Sequence, residues 1–100
     1  MAQRTVSILD KAAEEVGYVA YFIESKGLPE TAKKFVDEAF TFFEKLGNPN
    51  MKHKPCSFIA WKLEGYRCAN FRKKYVAAYL DLEDEVVVCD FAPQKLLSQT

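Results

Sequence analysis

Residues 66–91 read YRCANFRKKYVAAYLDLEDEVVVCDF. Apolar and aromatic residues fill three short runs in this stretch, Tyr66–Phe71, Tyr75–Leu80 and Glu85–Phe91. Runs of this length, rich in Val, Tyr and Phe, read as strands. Side chains alternate across a strand. Tyr66, Cys68 and Asn70 therefore share one side of the first run, and Arg67, Ala69 and Phe71 the other. In the second, Tyr75, Ala77 and Tyr79 oppose Val76, Ala78 and Leu80. Glu83-Asp84 supplies a turn, and Pro93 stops pairing because it lacks the donor a ladder needs. The stretch predicts three antiparallel strands. Beyond it, Gln94–Thr100 is either a short turn of helix or without regular structure.

Working upstream, the period changes from two to that of a helix. Ala12, Ala13, Val16, Val19, Ala20 and Ile23 recur at the spacing of one helix face, with Asp10 placed to cap a helix starting at Lys11. Lys26-Gly27 ends it, glycine being suited to a left-handed cap position. Pro29 is acceptable in a first helical turn. The next stripe is Ala32, Phe35, Val36, Ala39, Phe42, Phe43 and Leu46, closed by Gly47 and Asn48-Pro49-Asn50. So short a connection folds the two helices back as a hairpin. Before them, Arg4–Leu9 is a short strand candidate. Met51–Glu64 reads as loop, short helix or ragged strand, and the pattern does not choose.

The order is β-α-α-β-β-β, an α+β domain in which a helical hairpin covers one face of an antiparallel sheet. The face carrying Tyr75 and Tyr79 is left without a covering element, and so is open to solvent, a partner or a ligand. The 100 residues, 49% hydrophobic with four Gly and four Pro, suit one globular domain spanning 1–100.

The charges balance at 14 basic and 14 acidic residues, so net charge makes no case for nucleic acid or membrane binding. Their distribution is uneven. Lys52, Lys54, Lys62, Arg67, Arg72, Lys73 and Lys74, with His53, face only Glu64 between residues 52 and 74. Such a zone points to a phosphate-bearing or acidic partner, or is a solvated sheet edge. Three cysteines, an odd number without CxxC spacing, suit reduced thiols, with Cys68 and Cys89 as core packing. No apolar run approaches the roughly 20 residues needed to span a bilayer, and the first residues lack an apolar signal core. A cytoplasmic protein is expected.

Three local motifs, in their order, resemble the RelE/ParE superfamily of type II toxins, the plasmid stabilisation systems. The hairpin connection Gly27-Leu28-Pro29-Glu30-Thr31-Ala32, with its exit Leu46-Gly47-Asn48-Pro49, looks like the G-x-P-x-x-A … L-x-x-P frame of ParE-type members. Gly65-Tyr66-Arg67 is similar to the family's Gly-x-Arg. Lys74-Tyr75-Val76-Ala77-Ala78-Tyr79-Leu80 resembles its Y-x-x-x-Y strand. The likeness covers about Thr5 to Leu97. It implies a bacterial growth-inhibiting toxin neutralised by a cognate antitoxin, the two forming a hetero-oligomer. RelE-type relatives cut mRNA on the ribosome and ParE-type relatives poison DNA gyrase. Fold alone does not choose between them.

Cutting RNA through its 2′-hydroxyl needs a proton acceptor, cations on the phosphate and an acid for the leaving oxygen. The resemblance assigns Arg67, Lys74, Tyr75 and His53 to those roles in the nuclease case. Lys52, Lys54, Arg72, Lys73 and Tyr79 are then binding residues. His53 has the pKa best suited to proton transfer near neutrality, yet a lone histidine between two lysines is also an ordinary solvated residue. Tyr75 and Tyr79 either stack on a base or pack against protein. The chain departs from nuclease members by holding Val76 and Ala77 inside the strand and by having Lys95 as the sole cation of its tail. The long hairpin tilts the resemblance towards ParE.

Tyr18, Phe22 and Phe40 fall off the main stripes and are candidate antitoxin contacts, unless they widen the core stripe. His53 and Cys56 have H-x-x-C spacing but no second pair to complete a zinc site. No metal, cofactor, phosphate-binding loop or serine nucleophile motif is expected. A binding module that kept the fold without toxicity is the competing reading.

Overall fold

The computed structural model describes residues 3–97. Its elements run β1 Thr5–Ile8, α1 Asp10–Ser25, α2 Pro29–Lys45, α3 Ile59–Leu63, β2 Arg67–Phe71, β3 Tyr75–Asp81, β4 Glu85–Pro93 and α4 Gln94–Leu97. The α+β class and the element order match the sequence pattern. Residues 98–100, the end of the tail, lie outside the described residues.

Helix α1 starts at Asp10 rather than being capped by it. Leu9 stands at the cap, and the Asp10 carboxylate sits in the first turn, where negative charge suits the helix dipole. Gly27 ends the helix at φ +82°, a conformation in which a side chain would be strained. Gly47 closes α2 for a different reason. A Cβ there would stand 2.7 Å from the Arg4 carbonyl oxygen and 2.8 Å from Val6 Cγ2, so only glycine lets β1 pass. The Arg4 N–H donates to the Gly47 carbonyl across that contact at 3.0 Å.

The sheet order is β1-β4-β3-β2. Strands β2, β3 and β4 are antiparallel neighbours, as expected, but β1 pairs parallel to β4, from Thr5 opposite Glu85 to Ile8 opposite Val88. The sheet is therefore mixed. A bulge lies where Ala78 pairs with Asp90 and Tyr79 with Val88, which leaves Cys89 as the extra residue of β4. The bulge resets the alternation of β4, so that Phe91 on one side of it and Val88 and Val86 on the other all join the main core.

The main core lies between the hairpin and the sheet. Val16, Phe35, Ala39, Phe43 and Leu46 from the helices meet Ala69, Phe71, Ala77, Tyr79 and Phe91 from the strands. Two expectations are corrected here. The face of β3 carrying Tyr75 and Tyr79 is the one the hairpin covers, and Tyr79 is fully buried. The opposite face is covered as well. There Val76 and Ala78 pack beneath Cys56 and Trp61, supplied by the segment around α3 that the sequence left unassigned. Both faces of β3 are apolar because both are buried, as in a strand sandwiched between layers.

The third correction concerns the cysteines. Cys56 and Cys68 form a disulfide, and Cys89 remains a buried thiol. The odd count concealed one pair and one spare. Spacing gave no clue, because the chain between them folds back through α3 and Gly65, whose φ is +80°.

Candidate functional site

Apart from Lys62, which lies on α3, the basic zone of the sequence separates in space into two regions, one at each end of β3. Tyr75 opens the strand and Tyr79 lies four residues on, about 13 Å along it.

At the Tyr79 end, β2 brings Arg67 opposite Tyr79, and the segment before Cys56 lays His53 beside them. The phenol oxygen of Tyr79 is 2.7 Å from His53 Nδ1. Burial lowers the His53 pKa from its ordinary value, and the charge of Arg67 acts in the same direction. The imidazole is thus neutral near pH 7. With Nε2 carrying the hydrogen, Nδ1 accepts from the Tyr79 hydroxyl, which gives that buried hydroxyl a partner. Burial, then the Asp81 charge, raises the Tyr79 pKa. The Arg67 guanidinium donates to the His53 carbonyl and lies 3.6 Å from Asp81. Asp81 is also paired with Arg4, a residue that no sequence motif marks. Arg4 donates in addition to the Leu82 carbonyl at 3.0 Å and reaches the carbonyls that end α2. The Tyr79 hydroxyl, the Arg67 and Arg4 guanidinium groups and the Asp81 carboxylate thus all have protein partners. Lys52 and Lys54 are exposed beside it, with Lys52 bordering a shallow hollow next to Arg4.

At the Tyr75 end the turn is unusual. The Lys74 N–H donates to the Phe71 carbonyl, and the two residues between them, Arg72 and Lys73, have φ of +55° and +61°. Hairpin turns with two positive φ angles normally use Asn-Gly, and larger residues there are strained. Arg72 helps hold the geometry. Its guanidinium pairs with Glu38 of α2 and lies 5.4 Å from the centroid of Phe35 and 5.3 Å from that of Phe71. Its hydrogen bond is the main reason that the Glu38 pKa is lowered. Arg72 therefore pins the turn to the helix rather than offering itself to a ligand.

Lys73 and Lys74 point the other way, onto a groove of about 770 Å³ between α1, the turn and the C-terminal residues. Tyr18, Val19 and Phe22 of α1 form one wall, and Tyr75, Pro93 and Leu96 the other. Tyr18 is 66% exposed and Phe22 60%. The rim carries Lys73, Lys74 and Lys95 against one carboxylate, Glu15. Large apolar side chains left open beside lysines are the marks of a protein-binding surface.

The structure thus brings His53, Arg67 and Tyr79 together, and separately Lys73, Lys74, Tyr75, Tyr18 and Phe22. It does not assemble Arg67, Lys74, Tyr75 and His53 around one point. Phe40 belongs to neither region. It is partly buried against the main core, with its ring 5.6 Å from that of Phe43, as the wide-stripe alternative holds. Among the described residues, no group of three or more His, Cys, Asp or Glu stands close enough to hold a metal ion. No helix among them is long and apolar enough to cross a membrane.

No family model matches this sequence, and no curated protein matches it. A solved structure described as the chromosomal ParDE TA system from P. aeruginosa does match. One of its chains superimposes with a TM-score of 0.75 over 91% of this chain and 96% of its own, at 15% sequence identity. The two share a fold. The α+β fold expected from the motifs is therefore one that this chain shares with a chain of that ParDE structure. At that identity the likeness speaks for the fold and leaves the activity to be argued from the residues.

Proposed function

We propose that this chain, as one domain, is the toxin of a bacterial type II toxin–antitoxin pair. In this reading it acts in the cytoplasm, inhibits growth by poisoning DNA gyrase, and is silenced by an antitoxin seated in the groove beside Tyr18 and Phe22. The observation that carries the reading is that groove, placed on a fold shared with a chain of a ParDE TA system. An amphipathic antitoxin segment would lay its apolar side chains between Tyr18, Phe22 and Tyr75, and its carboxylates against Lys73 and Lys74.

The arrangement of the cations favours gyrase over mRNA cleavage. A nuclease must gather its proton carriers and cations within hydrogen-bond reach of one phosphate. Here Arg67 and His53 stand about 13 Å of strand from Lys74 and Tyr75. Tyr79, with no exposed surface, has no access to an RNA base.

The test is growth after tightly controlled induction of this protein alone, with thymidine and amino-acid uptake followed in parallel. Arrest with thymidine uptake failing first supports the proposal. Arrest with amino-acid uptake failing first assigns the toxin to the ribosome. Unimpeded growth with folded protein accumulating identifies a binding module without toxicity.

A further inference from the structure

The segment between α2 and β2 has little structure of its own beyond the five residues of α3, yet it covers Val76 and Ala78 on the outer face of the sheet. Its buried cluster consists of four residues, Cys56, Trp61, Val76 and Ala78, against thirteen in the main core. So small a core needs another tie to stay closed. Two backbone hydrogen bonds help, from Cys56 to the Tyr66 carbonyl at 2.9 Å and from Cys68 to the Lys54 carbonyl at 3.2 Å. They lie along the free edge of β2, the outermost strand. The Cys56–Cys68 disulfide crosses between the same two lengths of chain. It is the one covalent tie among these contacts.

We propose that this disulfide is a redox switch. Oxidised, it holds residues 54–64 as a flap over the outer sheet face. Reduced, it releases the flap, uncovers Val76, Ala78 and the edge of β2, and leaves the hairpin side folded. Cys56 is almost completely buried, whereas Cys68 is half-buried, so an incoming thiolate enters at Cys68. A dithiol reductant supplies the electrons. Its thiolate bonds to the Cys68 sulfur, and the S–S electron pair leaves on Cys56, which takes a proton. The second thiol of the reductant then displaces Cys68 as a thiolate, which is protonated in turn. The protein gains two electrons and two protons, and the reductant becomes a disulfide. This switch does not depend on which target the chain has.

The full chain carries its own probe, since Trp61 is its only tryptophan and lies within the flap, packed in the cluster that the flap closes. On reduction by a dithiol, Trp61 emission should shift to the red. The amides of Cys56 and Cys68 should exchange about 100-fold faster, while those of α2 and β4 keep their protection. The double variant Cys56→Ser, Cys68→Ser should show the same state without reductant. Three outcomes overturn the proposal. One is unchanged emission and exchange once mass spectrometry has shown the protein reduced. Another is loss of protection in α2 and β4 together with the flap, which would make the bond a staple of the whole domain. The last is a protein that keeps three free thiols after incubation with oxidised glutathione.

Discussion

The two ends of β3 start from similar materials and finish differently. Each has a tyrosine, a basic neighbour and the apolar face of a strand. At the Tyr79 end the phenol is bonded to His53, Arg67 to Asp81 and the His53 carbonyl, and Arg4 to Asp81 and the end of α2. At the Tyr75 end one cation, Arg72, is tied down to Glu38, and that tie leaves Lys73 and Lys74 on the rim of an apolar groove. The difference shows that residue type is a poor guide to role in this chain. A cation closed into a network of carbonyls and carboxylates holds elements together. Lys73 and Lys74, on the rim beside exposed Tyr18 and Phe22, are placed to meet a partner.

The largest expected effect lies at the closed end. Tyr79→Ala should destabilise the domain by about 3–5 kcal/mol, since it empties a fully buried site. Chemical denaturation would measure it, and a loss below about 1 kcal/mol would break the comparison by showing that end to be loosely packed. At the open end, Phe22→Asp should change stability by no more than about 0.5 kcal/mol. It should weaken antitoxin binding by about 2 kcal/mol, roughly 30-fold, as a central apolar contact does. Calorimetric titration with the antitoxin that the proposed function calls for would read that change. Normal affinity would remove the groove from the interface.

A subtler test uses the strained turn. Lys73→Gly relieves a positive φ and should stabilise the fold by about 1 kcal/mol, while antitoxin affinity falls through loss of a rim charge. Stability and binding moving in opposite directions is the signature of a turn held for function. If both rise, the strain has no part in recognition.

The sequence was legible where one face of an element differs from the other. The stripes of α1 and α2, the cap at Gly27 and the three C-terminal strands all follow from such contrasts. It was illegible where both faces are alike. Tyr75, Ala77 and Tyr79 are as apolar as Val76, Ala78 and Leu80, so the alternation of β3 could not say which side met the hairpin. The parallel pairing of β1 was hidden too, because strand direction depends on where the chain returns after the rest of the fold is built. Of the candidate site, Tyr18, Phe22, Lys73, Lys74 and Tyr75 were named from the sequence, and their convergence needed the fold. Arg4 and Asp81 drew no notice. The signal available was an arginine opening the first strand with an acidic residue ending the third, which is too common to single out.

The smallest expected effect concerns pH and separates the two ends by the property that responds. The folded-state pKa of His53 lies below its unfolded value of about 6.5, chiefly through burial. Between those two values the unfolded chain binds more protons than the folded one, so stability rises with pH across that window. The contribution of His53 is fully present above about 6.5 and is lost as pH falls towards the folded-state value. Carboxylates elsewhere add their own dependence, so the informative quantity is the difference between wild type and His53→Gln. The denaturation midpoint of wild type should fall more steeply between about pH 7 and pH 5 than that of the variant. Antitoxin affinity at pH 7 should be the same in both, because His53 faces Tyr79 and not the groove. Equal slopes would mean that His53 is as free to protonate in the fold as in the unfolded chain. The Tyr79 end would then be open to solvent after all, and the contrast between the two ends of β3 would fail at its closed side.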